Sequence, residues 1–231
     1  MTETITIATT EGGFAAYVAR PRVKTAPAVI VLHEVFGVNT DIKMTCDELA
    51  AHGLLAIAPD LFWRQEPGVS LSMWSEAEWA KGLALYMAYD RDQGVRDILT
   101  AVEAARSLPG SSGKVAVMGF CLGGLMTFLV AARGSVDAAV AFHGADTEKY
   151  VGEAVGVRAP MMMHLAEEDE FISKDAQATI KAALVGKPNV EVFSYPGCSH
   201  AFARHTGAHY DPQAAALANG RTWSFLIDKL S

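Results

Sequence analysis

The chain has 231 residues, of which 51% are hydrophobic, and its formal net charge is −7 at pH 7. This length is enough to bury a full hydrophobic core, so we expect one domain over residues 1–231. An acidic chain without a basic cluster excludes nucleic acids and anionic membrane surfaces as expected partners.

The N-terminus and the cysteines predict a cytoplasmic protein. Residues 1–6 have neither the basic region nor the apolar region of a secretory signal. The chain has three cysteines, which cannot all pair, and their wide spacing gives no disulfide framework: Cys46, Cys121 and Cys198. This usage is typical of a reducing compartment.

The first half of the chain predicts a hairpin followed by alternating strands and helices. Strands at 4–8 and 14–19 are joined by the turn Glu11-Gly12-Gly13. Continuous apolar runs then predict buried strands at 28–32 and 54–58. Apolar residues at helical spacing predict helices at 41–52, 75–88 and 92–107.

The second half continues the same alternation. An apolar strand at 115–118 leads into a glycine-rich turn and then into an apolar helix. Further strands are predicted at 136–142, 160–165 and 190–195, and further helices at 172–185 and 212–229. The alternation predicts an α/β fold with a mostly parallel, doubly wound sheet flanked by helices, in which ligands bind at the carboxyl ends of the strands.

Three of the predicted helices carry end signals in their own sequence. Gly53 follows the first helix, where a glycine C-cap is expected. Ser75 and Glu78 form a capping box at the start of the second helix. The last helix is predicted to begin with the N-cap and N1 pair Asp211-Pro212.

The run from Val115 to Ala132 carries no charge and reaches the minimum length of a membrane helix. Glycines at 119, 123 and 124 interrupt it, and β-branched residues precede them. We therefore interpret the run as a strand, a turn and a helix, and we expect no membrane association.

The turn Gly119-Phe120-Cys121-Leu122-Gly123-Gly124 has the G-x-nucleophile-x-G pattern of α/β hydrolases, with cysteine in the place of serine. Glycines on both sides of a strained residue permit the close approach of the strand and the helix. Taken alone, the motif also fits a small buried thiol, so its partners decide the interpretation.

Polar residues follow several predicted strands, where ligands are expected to bind. They are Glu34, Asp60, Cys121, His143, Asp169 and His200. The order nucleophile, acid, histidine of α/β hydrolases is satisfied by Cys121, Asp169 and His200. His200 would take the thiol proton and later protonate the leaving group, while Asp169 would orient the imidazole.

Two features around this triad complete the predicted site. The backbone amides of Leu122 and Val35 are the expected oxyanion donors. Asp169 has rivals in its own acidic loop, which are Glu167, Glu168 and Glu170, and each of these is otherwise a solvated surface charge.

These segments together resemble the dienelactone hydrolase family, whose members are also called carboxymethylenebutenolidases. The matching segments run through the chain in the family's order, at 33–39, 58–61, 113–124, 168–169 and 197–204. The resemblance implies an α/β-hydrolase fold and the cleavage of a small, dienelactone-like ester or lactone. It also implies that Cys121 is the nucleophile of a thioester acyl-enzyme and that no cofactor is used.

The resemblance also assigns residues around the substrate. Glu34 resembles the carboxylate that takes up the thiol proton when substrate arrives, although a salt-bridged loop charge is an equally simple role for it. Arg204 resembles one of two arginines that hold the substrate carboxylate. The second arginine is absent, since Trp79 stands near its expected place and Lys81 is the only base of that helix.

This departure leaves two substrate classes open. Lys81 could replace the arginine as a point charge, or the pocket could accept a neutral or aromatic ester. We expect Trp79, Lys81 and Phe36 to contact the substrate. The aromatic residues near that helix that would favour a neutral ester are Trp63, Trp74, Trp79 and Tyr86.

Two hypotheses of other classes compete with hydrolysis. The spacing of His200, His205 and His209 could indicate a metal site, although the segment lacks helical periodicity and no metal is expected. Alternatively, Cys121 could be a redox-sensing thiol without hydrolytic activity. Cys46 and Cys198 are interpreted as structural. We expect the protein to be a monomer. Its expected binding partner is a small-molecule ester or lactone, which is its substrate.

Overall fold

The computed structural model describes residues 1–205 and 207–231. The strands are β1 (Thr2–Thr9), β2 (Gly12–Ala19), β3 (Ala26–Leu32), β4 (Leu55–Pro59), β5 (Ser111–Phe120), β6 (Ala138–Phe142), β7 (Met161–Ala166) and β8 (Val190–Tyr195). The helices are α1 (Thr40–Ala51), α2 (Glu76–Ala88), α3 (Arg91–Ser107), α4 (Leu122–Arg133), α5 (Lys174–Leu184) and α6 (Pro212–Leu230). A 3₁₀ segment spans Thr147–Gly156.

The strands form one eight-stranded sheet in the order β1-β2-β4-β3-β5-β6-β7-β8. The strands from β4 to β8 pair in parallel, while β2 pairs antiparallel with both of its neighbours. The predicted mostly parallel sheet is therefore confirmed. Because parallel strands point the same way, the carboxyl ends of β3, β5, β6 and β7 meet at one edge of the sheet.

The central strands are buried on both faces, and β3 shows how. Ile30 and Leu32 pack into the core shared with α3 and α4, whereas Val29 and Val31 pack into the core shared with α1 and α6. This alternation follows from the two-residue period of a strand. Cys46 is fully buried in the second core, as its place on the apolar stripe of α1 predicts.

The structure corrects several predicted boundaries. Gly12 and Gly13 belong to β2, so the hairpin turns at residues 10 and 11. β5 begins at Ser111, because its polar first residues still pair with β3 at the sheet end. The 3₁₀ segment was not predicted, since it has no clear helical stripe.

The cap signals are largely confirmed. Asp211 accepts hydrogen bonds from the amides of Gln213 and Ala214, and Gly53 takes a positive φ of 88° after α1. Ser75 accepts a bond from the amide of Glu78, but the Glu78 carboxylate bonds the amide of Ser72 instead of completing the capping box.

The uncharged run from Val115 to Ala132 forms most of β5 and α4, as expected. Within the described ranges, no helix has both the length and the apolar character needed to cross a membrane.

The junction of β5 and α4 is held by backbone contacts that only glycine allows. A Cβ on Gly119 would lie 2.3 Å from the carbonyl oxygen of Gly123, and one on Gly123 would lie 2.2 Å from that of Leu32. A Cβ on Gly124 would lie 2.4 Å from the carbonyl oxygen of Phe142. The glycines therefore let α4 press directly against the ends of β3, β5 and β6.

The segment after β8 is attached to α1 by a partly buried ionic cluster. The amide and Nδ1 of His205 lie 3.0 and 3.1 Å from Oδ1 of Asp41, and Nε2 lies 2.8 Å from Oε1 of Glu48. The hydrogen bonds to Asp41 and then to Glu48 raise the pKa of His205 to about 9. His205 therefore helps to fix the segment that carries His200.

We expect Gly123→Ala to lower the free energy of unfolding by on the order of 3 kcal/mol, because the backbone must shift to admit a methyl group. The matched control is Gly220→Ala in α6, where a Cβ meets nothing within 4 Å. Alanine should stabilise that helix by about 0.5–1 kcal/mol. Urea denaturation measures both changes, and equal effects at the two positions would contradict the close-packing argument.

The His205 cluster predicts a pH-dependent stability. A pKa raised above the ordinary 6.5 means that the protonated ring stabilises the fold, fully below pH 6.5, and that this contribution is lost as the pH rises through about 9. The difference in unfolding free energy between the wild type and His205→Gln should be largest near pH 6 and shrink towards pH 10. A constant difference across this range would show that His205 acts by packing alone.

Candidate active site

The acid and the histidine of the predicted triad lie in direct contact. Nδ1 of His200 is 2.8 Å from Oδ2 and 3.0 Å from Oδ1 of Asp169, and both side chains are buried. Oδ1 of Asp169 also accepts hydrogen bonds from the amides of Phe171 and Ile172. Among the acidic rivals, Glu170 bonds the backbone amide of His200, so Asp169 is the residue that orients the ring.

Cys121 stands on the strained turn that the glycine pattern predicts. Its φ of 52° and ψ of −113° are unusual for a residue with a side chain. Its amide donates to the carbonyl of Phe142, and its carbonyl accepts from the amide of Leu125. The strand, the turn and the helix therefore hold the thiol in one place, at the N-terminus of α4.

The two expected oxyanion donors are the amide that follows Cys121 in the chain and the amide of Val35, which lines the same cavity as Cys121. Leu122 is the first residue of α4, where an amide has no partner within its own helix, and Val35 follows the end of β3. In the described part of the chain, neither amide donates a hydrogen bond to another group. Both are therefore available to an oxygen placed at Cys121.

The electrostatics of His200 reflect its two neighbours. Burial alone would lower its pKa, but the negative charge of the Cys121 sulfur and then the hydrogen bond to Asp169 raise that pKa to about 10. Nε2 of His200 is buried and has no hydrogen-bond partner in the described ranges. The nitrogen that does not face Asp169 is thus left for proton transfer.

Cys121 and His200 open onto a cavity of about 130 Å³. Its walls are mostly apolar and aromatic, and they also carry charged groups. The lining residues are Glu34, Val35, Phe36, Trp79, Leu83, Tyr86, Cys121, Ala145, Asp146, Phe171, His200 and Arg204. The cavity lies at the carboxyl ends of the strands, where the sheet topology predicts a ligand site.

The charged pair Glu34 and Arg204 occupies one wall of the cavity. Nη2 and Nε of Arg204 lie 2.6 and 2.8 Å from Oε2 of Glu34, and Nε lies 3.5 Å from Oδ2 of Asp41. The guanidinium carbon is 5.1 Å from the ring centre of Phe36. Oε1 of Glu34 is buried without a hydrogen-bond partner among the described residues.

The predicted aromatic contacts are partly correct. Trp79 lines the cavity between Phe36 and Phe171, with ring centres 5.1 and 6.2 Å away. Phe171 in turn meets the His200 ring edge to face at 4.9 Å. These rings form a continuous aromatic wall that ends at the catalytic histidine candidate.

Lys81 is a correction to the predicted substrate contacts. Its Nζ lies 2.6 Å from Oε1 of Glu66 at the surface, and it does not line the cavity. The helical turn that places Trp79 inward places Lys81 outward. Trp63 and Trp74 also lie elsewhere, because Trp63 donates to Asp97 and Trp74 is 69% exposed.

Two polar residues predicted at strand ends have other roles. The Asp60 carboxylate accepts hydrogen bonds from the amides of Phe62 and Gly68 and so shapes the loop after β4. His143 has a ring centre 4.4 Å from that of His200, and burial holds its pKa well below the ordinary value. Neither ring nitrogen of His143 has a hydrogen-bond partner in the described chain.

Several lining residues were missed by the sequence interpretation. Ala145 and Asp146 follow the end of β6, and Phe171 comes two residues after Asp169. The strand-end rule was applied only to selected polar residues after each strand. Applied to the neighbouring residues as well, it would have found all three. Leu83 lines the cavity from α2, four residues after Trp79, although its side chain is partly exposed. A search for charged motifs overlooks such apolar walls.

The metal hypothesis is not supported by the positions of its three histidines. His200 bonds Asp169, His205 bonds Asp41, and Nδ1 of His209 bonds the carbonyl of His200. Over residues 1–205 and 207–231, no group of three or more metal-ligating side chains has the geometry to hold an ion.

Comparisons with known sequences agree with this geometry. The model of the dienelactone hydrolase family matches residues 14–230. The chain is 41% identical over 221 residues to an Azospirillum brasilense protein named "putative carboxymethylenebutenolidase", with 95% of each chain covered. It is 37% identical over 227 residues to the carboxymethylenebutenolidase of Pseudomonas putida, covering 98% of this chain and 96% of that one.

A solved structure shares the same architecture. The crystal structure of a "putative dienelactone hydrolase" from Klebsiella pneumoniae subsp. pneumoniae MGH 78578 superimposes with a TM-score of 0.86 at 29% identity, covering 98% of both chains. The predicted α/β-hydrolase fold is therefore confirmed. The sequence matches and the shared architecture agree that this chain is a member of the dienelactone hydrolase family.

Proposed function

We propose that the protein hydrolyses a small ester or lactone through a thioester formed on Cys121, with His200 and Asp169 as its proton-transfer partners. The observation that carries this proposal is the contact between His200 and Asp169 beside a strained cysteine at one end of a cavity. As a family member, the chain is a hydrolase that acts on esters or lactones.

The first half of the reaction forms the acyl-enzyme. The raised pKa of His200 favours its protonated form, and we assign Cys121 as the thiolate that this ring stabilises. The sulfur attacks the carbonyl carbon, and the carbonyl oxygen becomes an oxyanion that the amides of Leu122 and Val35 receive. When the intermediate collapses, the carbon–oxygen bond breaks and Nε2 of His200 protonates the alkoxide.

The second half returns the enzyme to its resting state. Neutral His200 removes a proton from a water molecule, whose oxygen attacks the thioester carbon. The carbon–sulfur bond then breaks, the acid product leaves, and the thiolate again faces protonated His200. Asp169 holds the same imidazole orientation through both steps, because its other contacts are to backbone amides.

The Glu34–Arg204 pair bears on the choice of substrate. Arg204 already contacts Glu34 and Asp41, so a substrate carboxylate must compete with two protein carboxylates for one guanidinium. Trp79 adds no charge to the cavity lining, and Lys81 is paired with Glu66. This arrangement favours a neutral or aromatic ester as the second candidate, beside a dienelactone-like substrate.

The role of Glu34 as a proton acceptor is an alternative start of the same reaction, for a Cys121 that rests as a neutral thiol. Glu34 and Cys121 line the same cavity, and Oε1 of Glu34 is buried without a partner among the described residues. With a neutral thiol at rest, this unpartnered oxygen takes the thiol proton when a ligand excludes water. Arg204 keeps the carboxylate oriented through its other oxygen.

We expect Cys121→Ala to abolish the hydrolysis of a small activated aryl ester, since a methyl group cannot form a thioester. Cys46→Ala and Cys198→Ala are the matched controls and should retain turnover, because both thiols are buried away from the cavity lining. Rapid-quench mass spectrometry should find an acyl adduct on Cys121 during turnover. Turnover without this adduct would contradict the covalent route, and oxidation without any turnover would support a redox sensor.

We expect Trp79→Arg to raise kcat/KM for cis- or trans-dienelactone relative to phenyl acetate by about tenfold, because it supplies a charge-assisted hydrogen bond to a substrate carboxylate. Trp74→Arg is the matched control, since Trp74 is 69% exposed and lies outside the cavity lining. A wild-type enzyme that already prefers dienelactone, or a ratio that does not rise in Trp79→Arg, would contradict the neutral-substrate candidate.

A further inference from the structure

The cavity contains a second carboxylate that hydrolysis does not use. Asp146 lies in the wall beside Tyr86, four residues after the end of β6. Its φ of 69° is a left-handed conformation, which is uncommon for a residue with a side chain. The side chain is 26% exposed, so part of the carboxylate is accessible from the cavity.

Three side chains hold this carboxylate in place. The Tyr86 hydroxyl donates to Oδ2 of Asp146 at 2.6 Å, Nζ of Lys149 lies 2.7 Å from Oδ1, and Nη2 of Arg91 lies 3.7 Å from Oδ2. The Arg91 guanidinium also lies over the Tyr86 ring, 4.8 Å from its centre. Burial alone would raise the pKa of Asp146, but the bonds from Lys149 and Tyr86 lower it.

The two cations that contact Asp146, Arg91 and Lys149, do not line the cavity. Asp146 and Tyr86 both line it. The cavity is therefore lined by a carboxylate whose negative charge is partly balanced by cations outside the lining. A substrate anion placed here would face Asp146 directly, while the only arginine of the lining is engaged by Glu34.

The hydrogen-bonding capacity of Tyr86 and Asp146 determines which ligand groups they can bind. Tyr86 has one O–H, which it gives to Asp146, so its oxygen can only accept from a ligand. An ionised carboxylate is also an acceptor only, and three partners leave it room for one more. The same lining includes the apolar side chains of Leu83 and Ala145. An apolar ligand atom here would cover these acceptors without satisfying them.

We propose that Asp146 and Tyr86 form a recognition site for a hydroxyl group on a neutral substrate, and that the substrate class is a small hydroxylated aryl or similarly apolar ester or lactone. The assignment of an ester or lactone rests on the proposed function. The hydroxyl site itself rests on the acceptor-only pair and on the apolar, aromatic walls around it.

The test uses ligands that the enzyme cannot hydrolyse, so that it is independent of catalysis. In a Cys121→Ala background, calorimetry would measure the binding of 3- and 4-hydroxyacetophenone against the matching fluoroacetophenones, which have a similar shape and no O–H. At least one hydroxy isomer should bind about tenfold more tightly than its fluoro partner, a ratio that corresponds to about 1.4 kcal/mol.

Asp146→Asn should reduce this hydroxy-to-fluoro ratio to about threefold or less, and Tyr86→Phe should reduce it in the same direction. Asp175→Asn, a substitution at an exposed residue of α5, is the control and should keep the full ratio. The ratio is taken within each variant, so a partly unfolded fraction does not change it.

Three outcomes would overturn the hydroxyl site. They are equal binding of hydroxy and fluoro ligands to the parent protein, an unchanged ratio in Asp146→Asn, and no binding of any of the four ketones. Failure of the proposed function would instead appear as ester hydrolysis that survives Cys121→Ala, which leaves the binding ratios readable.

Discussion

The contact of α4 with the ends of three strands is the constraint on which the site depends. Gly119, Gly123 and Gly124 leave no space for a side chain, so the helix begins where the strands end. Cys121 is thereby held in a conformation that a free chain avoids, and the amide of Leu122 is left without a partner in its helix. Packing of backbone against backbone therefore sets the geometry of the proposed chemistry before any side chain acts.

The sequence predicted the fold correctly, and its strand-end rule selected polar residues several of which the structure brings together, because both follow from local rules. Buried strands such as β3 are recognised in the sequence by their continuous apolar residues. The ends of the predicted strands indicate where polar groups gather to bind a ligand. Lys81 was wrong because its outward direction depends on the exact rotation of α2. The walls formed by Leu83 and Phe171 were missed, since an apolar residue in a cavity and one in a core look alike in sequence.

The cavity contains two sets of paired charges, one at Glu34 and one at Asp146. The two sets differ in whether their cation lines the cavity. Glu34 faces Arg204 within the wall, whereas the cations that balance Asp146 stand behind it. The first pair presents an engaged guanidinium, and the second presents only acceptors. A ligand that enters therefore meets little uncompensated positive charge apart from His200, whose pKa is raised. Selectivity in such a site is set by hydrogen-bond direction more than by net charge.

The loop that carries the proposed triad acid separates two tasks within four residues. Asp169 is fixed by the amides of Phe171 and Ile172, while the side chain of Phe171 forms part of the cavity wall. A backbone amide is present whatever side chain stands at that position, proline excepted. Mutation at position 171 can therefore remodel the shape of the pocket while the acid keeps its alignment, so this loop allows substrate range to diverge during evolution without loss of the catalytic apparatus.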